Sequence, residues 1–544
     1  MKGLIFEALT PQQQAAPNRT DIACFIGLVK VRDGELPEDL VAWLVEEGWW
    51  ATPESESARG GAATLVDVPL PIDSWERFDQ LFAWDEREYE GDVMGATYLG
   101  AAVRSFFAQG GRKCYVICCG EPLAFDAERA TRDEALFDIV PANLSGRVHR
   151  GDWHGLHHLL GLPEVSFITF PDLPELACDG PADEFEALAG DALPAVFSDC
   201  ALSSAVEETE KLVVQLPASR ADDNAFFRWR AVVHRAALWL SDHRRDVQML
   251  AALPLPALES SATHEGVLAF MHRRGWLSST MGAHNCPTDL QLTDQEVTDF
   301  LSQTDQNKSA CSSATAFLQL AYPWLRFGYA GDLPDNIEPS DGVLAGLLAR
   351  NALTRGTFRS ATALDIQDLI DLVPRLHQSQ TFGLNPAAPD IASAQAPLID
   401  RISLFGRTPE GIRLLSDVTT SNDLNYRQAG INRTINLVMR AARSIGEEYV
   451  YESSGERLWG QLQARLSDVL SAMHGVGALA GRRSTDAFQV RCDRSTMSQQ
   501  DIDAGRVIVQ VLIRPAASIE TMRIQLALSD SGRVSLASIG MEAA

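Results

Sequence analysis

The sequence predicts a multidomain chain in which a largely parallel α/β domain with insertions is followed by a separate α+β domain. Three observations carry this. The chain has 544 residues, enough for about three or four domains of ordinary size. Strand-like and helix-like stretches alternate across roughly residues 28–360, the pattern of a doubly wound parallel sheet. Beyond residue 401 the pattern changes to amphipathic helices followed by strands, and the charge balance changes with it.

The elements follow in chain order. Residues 3–9 are short and apolar, and the proline-bracketed stretch 11–17 behind them reads as an extended linker. Residues 21–29 read as a buried strand, with Gly27 where backbone approaches closely. A helix follows Ser74, with Trp75, Phe78, Leu81 and Phe82 at helical spacing. Residues 98–107 form another, stopped by Gly110-Gly111, and the buried strand 114–119 completes a helix–turn–strand unit. A core strand at 165–170 ends at Pro171; a helix at 226–240 and a strand at 247–253 come next. Residues 178–215 and 255–309 read as loops or surface insertions.

In the last quarter Ile431, Ile435, Val438, Met439 and Ala442 form one helical stripe. Ser453-Ser454-Gly455-Glu456 has capping-box spacing and opens a second helix. Its stripe is Leu458, Leu462, Leu466, Val469, Leu470 and Met473, and Gly475 stops it. Strands are expected at 487–492, 506–513 and 519–528. In the last, Met522, Ile524, Leu526 and Leu528 alternate with Arg523, Gln525 and Ala527, which implies one solvated face. The expected divisions are 1–19 (arm and linker), 20–380 (α/β, with the two insertions) and 381–544 (α+β).

Net charge is −27. From Arg401 onward there are 17 Arg, no Lys and 15 acids, so the first 400 residues hold 29 basic and 58 acidic side chains. An acidic bulk repels nucleic acid and anionic membranes. The arginine-only C-terminal quarter suits a surface buried against partners, because Arg desolvates more readily than Lys; the alternative is that the two parts simply differ in composition. No apolar run reaches the roughly 18 residues of a membrane span, and Glu7 comes too early for a signal-peptide core, so a cytoplasmic protein is expected. The nine cysteines show no Cys-x-x-Cys and read as reduced, structural thiols.

No catalytic, metal or cofactor constellation stands out. His154 and His158 lie four apart, the spacing of some zinc sites, but Gly155 stands where a zincin has Glu and no third ligand is near; a surface or capping cluster is the competing reading. The nucleophile elbow Gly-x-Ser-x-Gly and the phosphate-binding Gly-x-x-x-x-Gly-Lys-Ser/Thr are both missing. The glycines at 475–481 follow a helix, where helix termination explains them better than a dinucleotide loop.

A series of phrases remains. It comprises Gly3-Leu4-Ile5-Phe6-Glu7, Thr20-Asp21-Ile22-Ala23-Cys24-Phe25-Ile26-Gly27, and Tyr98-Leu99 through Gly110-Gly111 to Cys114-Tyr115-Val116. It continues with Tyr322-Pro323-Trp324, Glu338-Pro339-Ser340-Asp341-Gly342-Val343, Asn432-Arg433, Glu456-Arg457-Leu458-Trp459 and Phe488-Gln489-Val490-Arg491-Cys492-Asp493. In this order and spacing the chain resembles the contractile tail sheath family of phages and phage-tail-like contractile injection systems.

The resemblance implies an inner α+β domain built from both chain termini, carrying an outer α/β domain. It implies strand-exchanging arms at Gly3, Leu4, Ile5, Phe6, Glu7 and Leu9 and at Met522, Ile524, Leu526 and Leu528. Tube-facing or lattice positions would be Arg413, Arg433, Arg440, Arg443, Arg457, Arg482 and Arg483. The implied role is a structural subunit that stacks as six-fold rings around an inner tube and contracts to drive it through a target envelope. Implied partners are further copies of the chain, the tube protein, and baseplate and cap proteins, with no cofactor, nucleic acid or membrane insertion. An end-capping or baseplate-proximal paralogue and an α/β enzyme are the alternatives.

Overall fold

The computed structural model describes residues 19–34, 36–50, 65–88, 94–124, 127–141, 150, 153–180, 216–256, 315–329, 332–362, 364–376, 398–421, 424–450, 452, 455–516, 522–528 and 534–537. They fall into two compact units. The larger comprises Asp21–Gly161 and Phe167–Asn432; the smaller draws on Met1–Thr20, Leu162–Ser166 and Arg433–Ala544.

The larger unit holds β1 (Ala23–Gly27), β2 (Pro69–Ile72), β3 (Arg87–Glu88), β4 (Met94–Gly95), β5 (Cys114–Cys118) and β6 (Phe167–Thr169). It continues with β7 (Gln248–Ala252), β8 (Leu318–Tyr322), β9 (Trp324–Phe327), β10 (Leu369–Val373), β11 (Ser403–Thr408) and β12 (Gly411–Leu414). Eight of these make one sheet in the order β12-β11-β8-β7-β6-β1-β5-β2. The strands from β11 to β5 pair in parallel, and the two outermost, β12 and β2, are antiparallel. The mixed α/β character and the mostly parallel sheet agree with the sequence expectation. β1 and β5 are buried along their whole lengths, which is why both read as unbroken apolar runs. β2 is Pro-Leu-Pro-Ile; two prolines cannot serve a central ladder, and the strand sits at the edge.

Helices cover this sheet. Thr97 caps the Tyr98–Ala108 helix by accepting from Gly100 N at 3.2 Å, and Ser74 caps Trp75–Leu81 through Arg77 N at 3.3 Å. Asp222 does the same for Asp223–His243 through Ala225 N at 2.7 Å. The Asp341–Thr354 helix is buried along most of its length and packs on Tyr98–Ala108. Gly342 and Gly346 permit the approach: a β-carbon on Gly346 would stand 2.8 Å from Phe106 O.

The larger unit ends at Asn432 and the smaller resumes at Arg433, so β11 and β12 belong to the larger. The reason is β11, which extends the parallel ladder by pairing with β8 and brings β12 with it.

The smaller unit contains most of the Ala429–Glu448 helix, the Glu456–Gly475 helix and two short ones, Ser484–Ala487 and Gln499–Asp503. Its strands β13 (Phe488–Arg491), β14 (Val507–Ile513), β15 (Met522–Leu528) and β16 (Val534–Ala537) form an antiparallel sheet in sequence order. The long helix buries Leu458, Trp459, Leu462, Leu466, Leu470 and Met473, while Val469 is only half-buried. Its N-cap is Gly455, with no side-chain cap; Ser453 and Ser454 of the expected box lie outside the described residues. A capping box does open the Gln499–Asp503 helix, through Ser498 and Asp501.

Candidate functional site

In an open parallel sheet, ligands bind beyond the carboxyl ends of the strands at the point where strand order reverses. Here that point lies between β1 and β6. The chain makes hydrogen bonds of its own there. Asp172, shortly after β6, accepts from Leu28 N at 2.7 Å and Leu99 N at 3.2 Å, joining the end of β1 to the first turn of the Tyr98–Ala108 helix. Gly27 makes room, because a β-carbon there would stand 2.1 Å from Asp172 Oδ2. Burial pushes the Asp172 carboxyl up to about 7, against the lowering effect of Leu28 N. Nearby, Arg87 and Glu175 form a buried two-pronged ion pair at 2.8 and 2.9 Å. Thr169, the last residue of β6, donates to Asp341, and Ser105 Oγ on the Tyr98–Ala108 helix meets Glu338 Oε1.

The two histidines singled out by spacing do meet, over a carboxylate. His154 Nδ1 contacts Asp67 Oδ2; His158 Nε2 lies 2.9 Å from Asp67 Oδ1, which also accepts from Gly155 N at 3.0 Å. Burial raises the Asp67 carboxyl, but the hydrogen bond from His158 and the other donors outweigh it and hold it below the usual carboxylate range. Among the described residues no group of three His, Cys, Asp or Glu side chains is arranged to hold a metal. Cys24, Cys114, Cys118, Cys178 and Cys492 are buried free thiols. Burial pushes the Cys118 thiol up to about 11 and Cys178 up to about 12, the opposite of what a nucleophile needs.

The residues assigned to assembly are placed as follows. Gly3, Leu4, Ile5, Phe6, Glu7 and Leu9 lie outside the described residues. Met522, Ile524, Leu526 and Leu528 belong to β15, which pairs with β14 and β16 of its own chain; the outermost strands of that sheet are β13 and β16. Arg413 lies in β12 of the larger unit and pairs with Glu410 and, at 2.7 Å, with Asp365. Arg433 and Arg440 are buried. Arg440 donates to Arg19 O at 2.9 Å, Glu164 O at 3.1 Å and Ser166 Oγ at 2.7 Å, all within the smaller unit. Arg443 is half-buried; Arg457, Arg482 and Arg483 are exposed. The smaller unit carries 15 basic and 14 acidic residues against 31 and 59 in the larger. Sequence reasoning missed Asp172 and Asp67, whose partners lie 73 to 144 residues away and leave no local pattern.

No protein-family model matches the sequence, and no curated protein matches it. Solved structures do. A chain of the anti-feeding prophage (AFP) baseplate in contracted state aligns at TM-score 0.52 and 16% identity, over 95% of this chain and 96% of that one. A chain of the 6-fold symmetrised AFP baseplate aligns at 0.51 and 16%, over 96% of both. A chain of the AFP helical sheath in contracted state aligns at 0.48 and 15%, over 96% and 97%. At such identities the shared property is the fold.

Proposed function

We propose that this chain is a structural subunit of the contractile tail sheath family, the family its sequence phrases resemble. One observation carries the reading: the chain shares its fold, over 95% of its length, with a chain of an AFP baseplate in contracted state. The hydrogen bonds of Asp172 support a structural role over an enzyme on the α/β unit, since they join β1 to the Tyr98–Ala108 helix at the place where such folds receive ligands. In this reading copies assemble as stacked six-fold rings around an inner tube, through heterologous contacts that close within a ring and repeat without closing from ring to ring. The near-neutral smaller unit faces the tube and the acidic larger unit faces solvent. Strands supplied by the termini complete sheets in neighbouring copies, using the unpaired edges that such sheets present. Contraction is a rearrangement of near-rigid subunits with no nucleotide hydrolysed. The particle assembles in the cytoplasm.

A second reading, a baseplate-proximal paralogue, is favoured by two matches above TM-score 0.5 to AFP baseplates. Negative-stain microscopy of the purified chain separates the readings. Long hollow tubes support the main sheath subunit, single rings the paralogue, and monomers that stay monomeric beside tube and baseplate proteins overturn both. Deleting residues 1–18 should leave the body folded by circular dichroism and abolish polymerisation.

A further inference from the structure

We infer that Glu338 is held as a neutral carboxylic acid and acts as a proton-operated latch on the layer formed by the Tyr98–Ala108 and Asp341–Thr354 helices. Its side chain is completely buried, and its backbone is pinned to β9 by reciprocal 2.9 Å hydrogen bonds with Leu325. Oε1 meets the Ser105 hydroxyl, which lies 2.8 Å from Tyr329 Oη, whereas Oε2 is buried with no hydrogen-bond partner among the described residues. An ionised carboxylate with one donor and one bare oxygen is a costly arrangement away from water. A neutral acid lowers the cost: the bare Oε2 then carries no charge, the carboxyl O–H on Oε1 donates to Ser105 Oγ, and the Ser105 hydroxyl is released to donate to Tyr329.

The charged and titratable groups facing this site reinforce the assignment. Asp341, three residues on, is itself buried, accepts from Thr169 Oγ1 and Gly342 N, and repels a second negative charge. Tyr329 is pushed to the neutral phenol by burial and by Glu338. Arg104 alone among them acts in the opposite sense and lowers the carboxyl, but its guanidinium is shared with three rings, 4.5 Å from Tyr329, 5.5 Å from Trp75 and 5.6 Å from Trp84, and burial outweighs it. Burial outweighs the Ser105 hydrogen bond and pushes Glu338 up to about 8, while Asp341 rises to about 6.

The sign follows from linkage. The folded unit keeps a proton that the unfolded chain releases near 4.5, so this carboxyl favours the closed state at low pH and loses that advantage as pH rises to about 8. Over that window the opening equilibrium rises about tenfold per pH unit for this one group.

The test is hydrogen exchange of the amides in the two helices of the full-length protein, wild type against Glu338→Gln, between about pH 5.5 and 7.5 and corrected for intrinsic exchange. The wild type should gain about tenfold more opening per pH unit than the variant. Equal slopes in two folded proteins overturn the latch. If Glu338→Gln fails to fold, infrared spectroscopy of the wild type decides alone. A protonated-carboxyl band with a component that titrates near pH 8, above those of Asp172 and Asp341, supports the assignment, and a band wholly gone by about pH 7.5 overturns it.

Discussion

Gly342 lies so close to Ala102 that a β-carbon on the glycine would stand 2.6 Å from both Cα and Cβ of the alanine. Gly342→Ala should therefore destabilise the larger unit by about 1–3 kcal/mol through overpacking, although alanine is about 1 kcal/mol the better helix former. Gly460 is the internal control. It sits inside the Glu456–Gly475 helix, and a β-carbon there meets nothing within 4 Å. Gly460→Ala should stabilise the smaller unit by about 0.5–1 kcal/mol. Chemical denaturation of both variants reads the two signs, and a loss at Gly460 would show that propensity is not what that position costs.

The sequence carried the elements that have a strong local signature. Cys114–Cys118 and Ala23–Gly27 read as strands because burial on both sides demands an unbroken apolar run, and Glu456–Gly475 because one buried face repeats every three or four residues. It did not reveal β2, whose prolines argue against a strand until an edge position is known, nor β11 and β12, whose place is set by a ladder to β8 formed 80 residues away. The spacing of His154 and His158 was visible, but the carboxylate that joins them was not, because Asp67 is 87 and 91 residues distant. Among the seven arginines singled out, composition could not separate Arg440, buried against three oxygen acceptors, from the exposed Arg482 and Arg483.

Asp172 provides the second prediction. Its two oxygens each receive one backbone N–H, from Leu28 and Leu99. Asp172→Ala leaves both donors buried and unpaired, at about 1–3 kcal/mol each. Asp172→Asn has one oxygen and one amide group, so it can satisfy one donor and should lose about half as much. Thermal unfolding of the two variants checks the order, and an alanine variant as stable as the asparagine one would mean that water replaces the carboxyl.

Arg440 gives the third. The acceptors are divided between Nη1 and Nη2, a span that one ammonium nitrogen does not cover, so Arg440→Lys should recover only part of the stability lost in Arg440→Met. Hydrogen bonds to a charged group are worth about 1.5–3 kcal/mol, and the methionine variant should lose at least that. Hydrogen exchange should quicken at Thr20 and along residues 162–166, where the guanidinium now holds the backbone. Faster exchange confined to the helix carrying Arg440 would contradict the clamp.

The last prediction joins charge to assembly. Arg457, Arg482 and Arg483 are exposed in the smaller unit, so reversing them to Glu leaves the core untouched and should shift the unfolding midpoint little; exposed charges are worth under about 1 kcal/mol each to a single chain. Reversing Arg440 instead buries a carboxylate against two carbonyl oxygens and should unfold the smaller unit, which makes it unfit as a test of any surface. If the near-neutral unit faces the tube, the triple reversal at 457, 482 and 483 weakens co-sedimentation with tube protein, and does so more at low salt, because the lost attraction is screened over about 10 Å at 0.1 M. The comparison is an equal reversal at Arg112, Arg375 and Arg407, all exposed in the larger unit. A small energetic change per copy is repeated at every contact of a helical lattice, so even a modest effect becomes a large loss of polymer. Equal weakening by the two triple variants would remove the charge argument for which unit faces the tube, and a larger effect from the second set would reverse it.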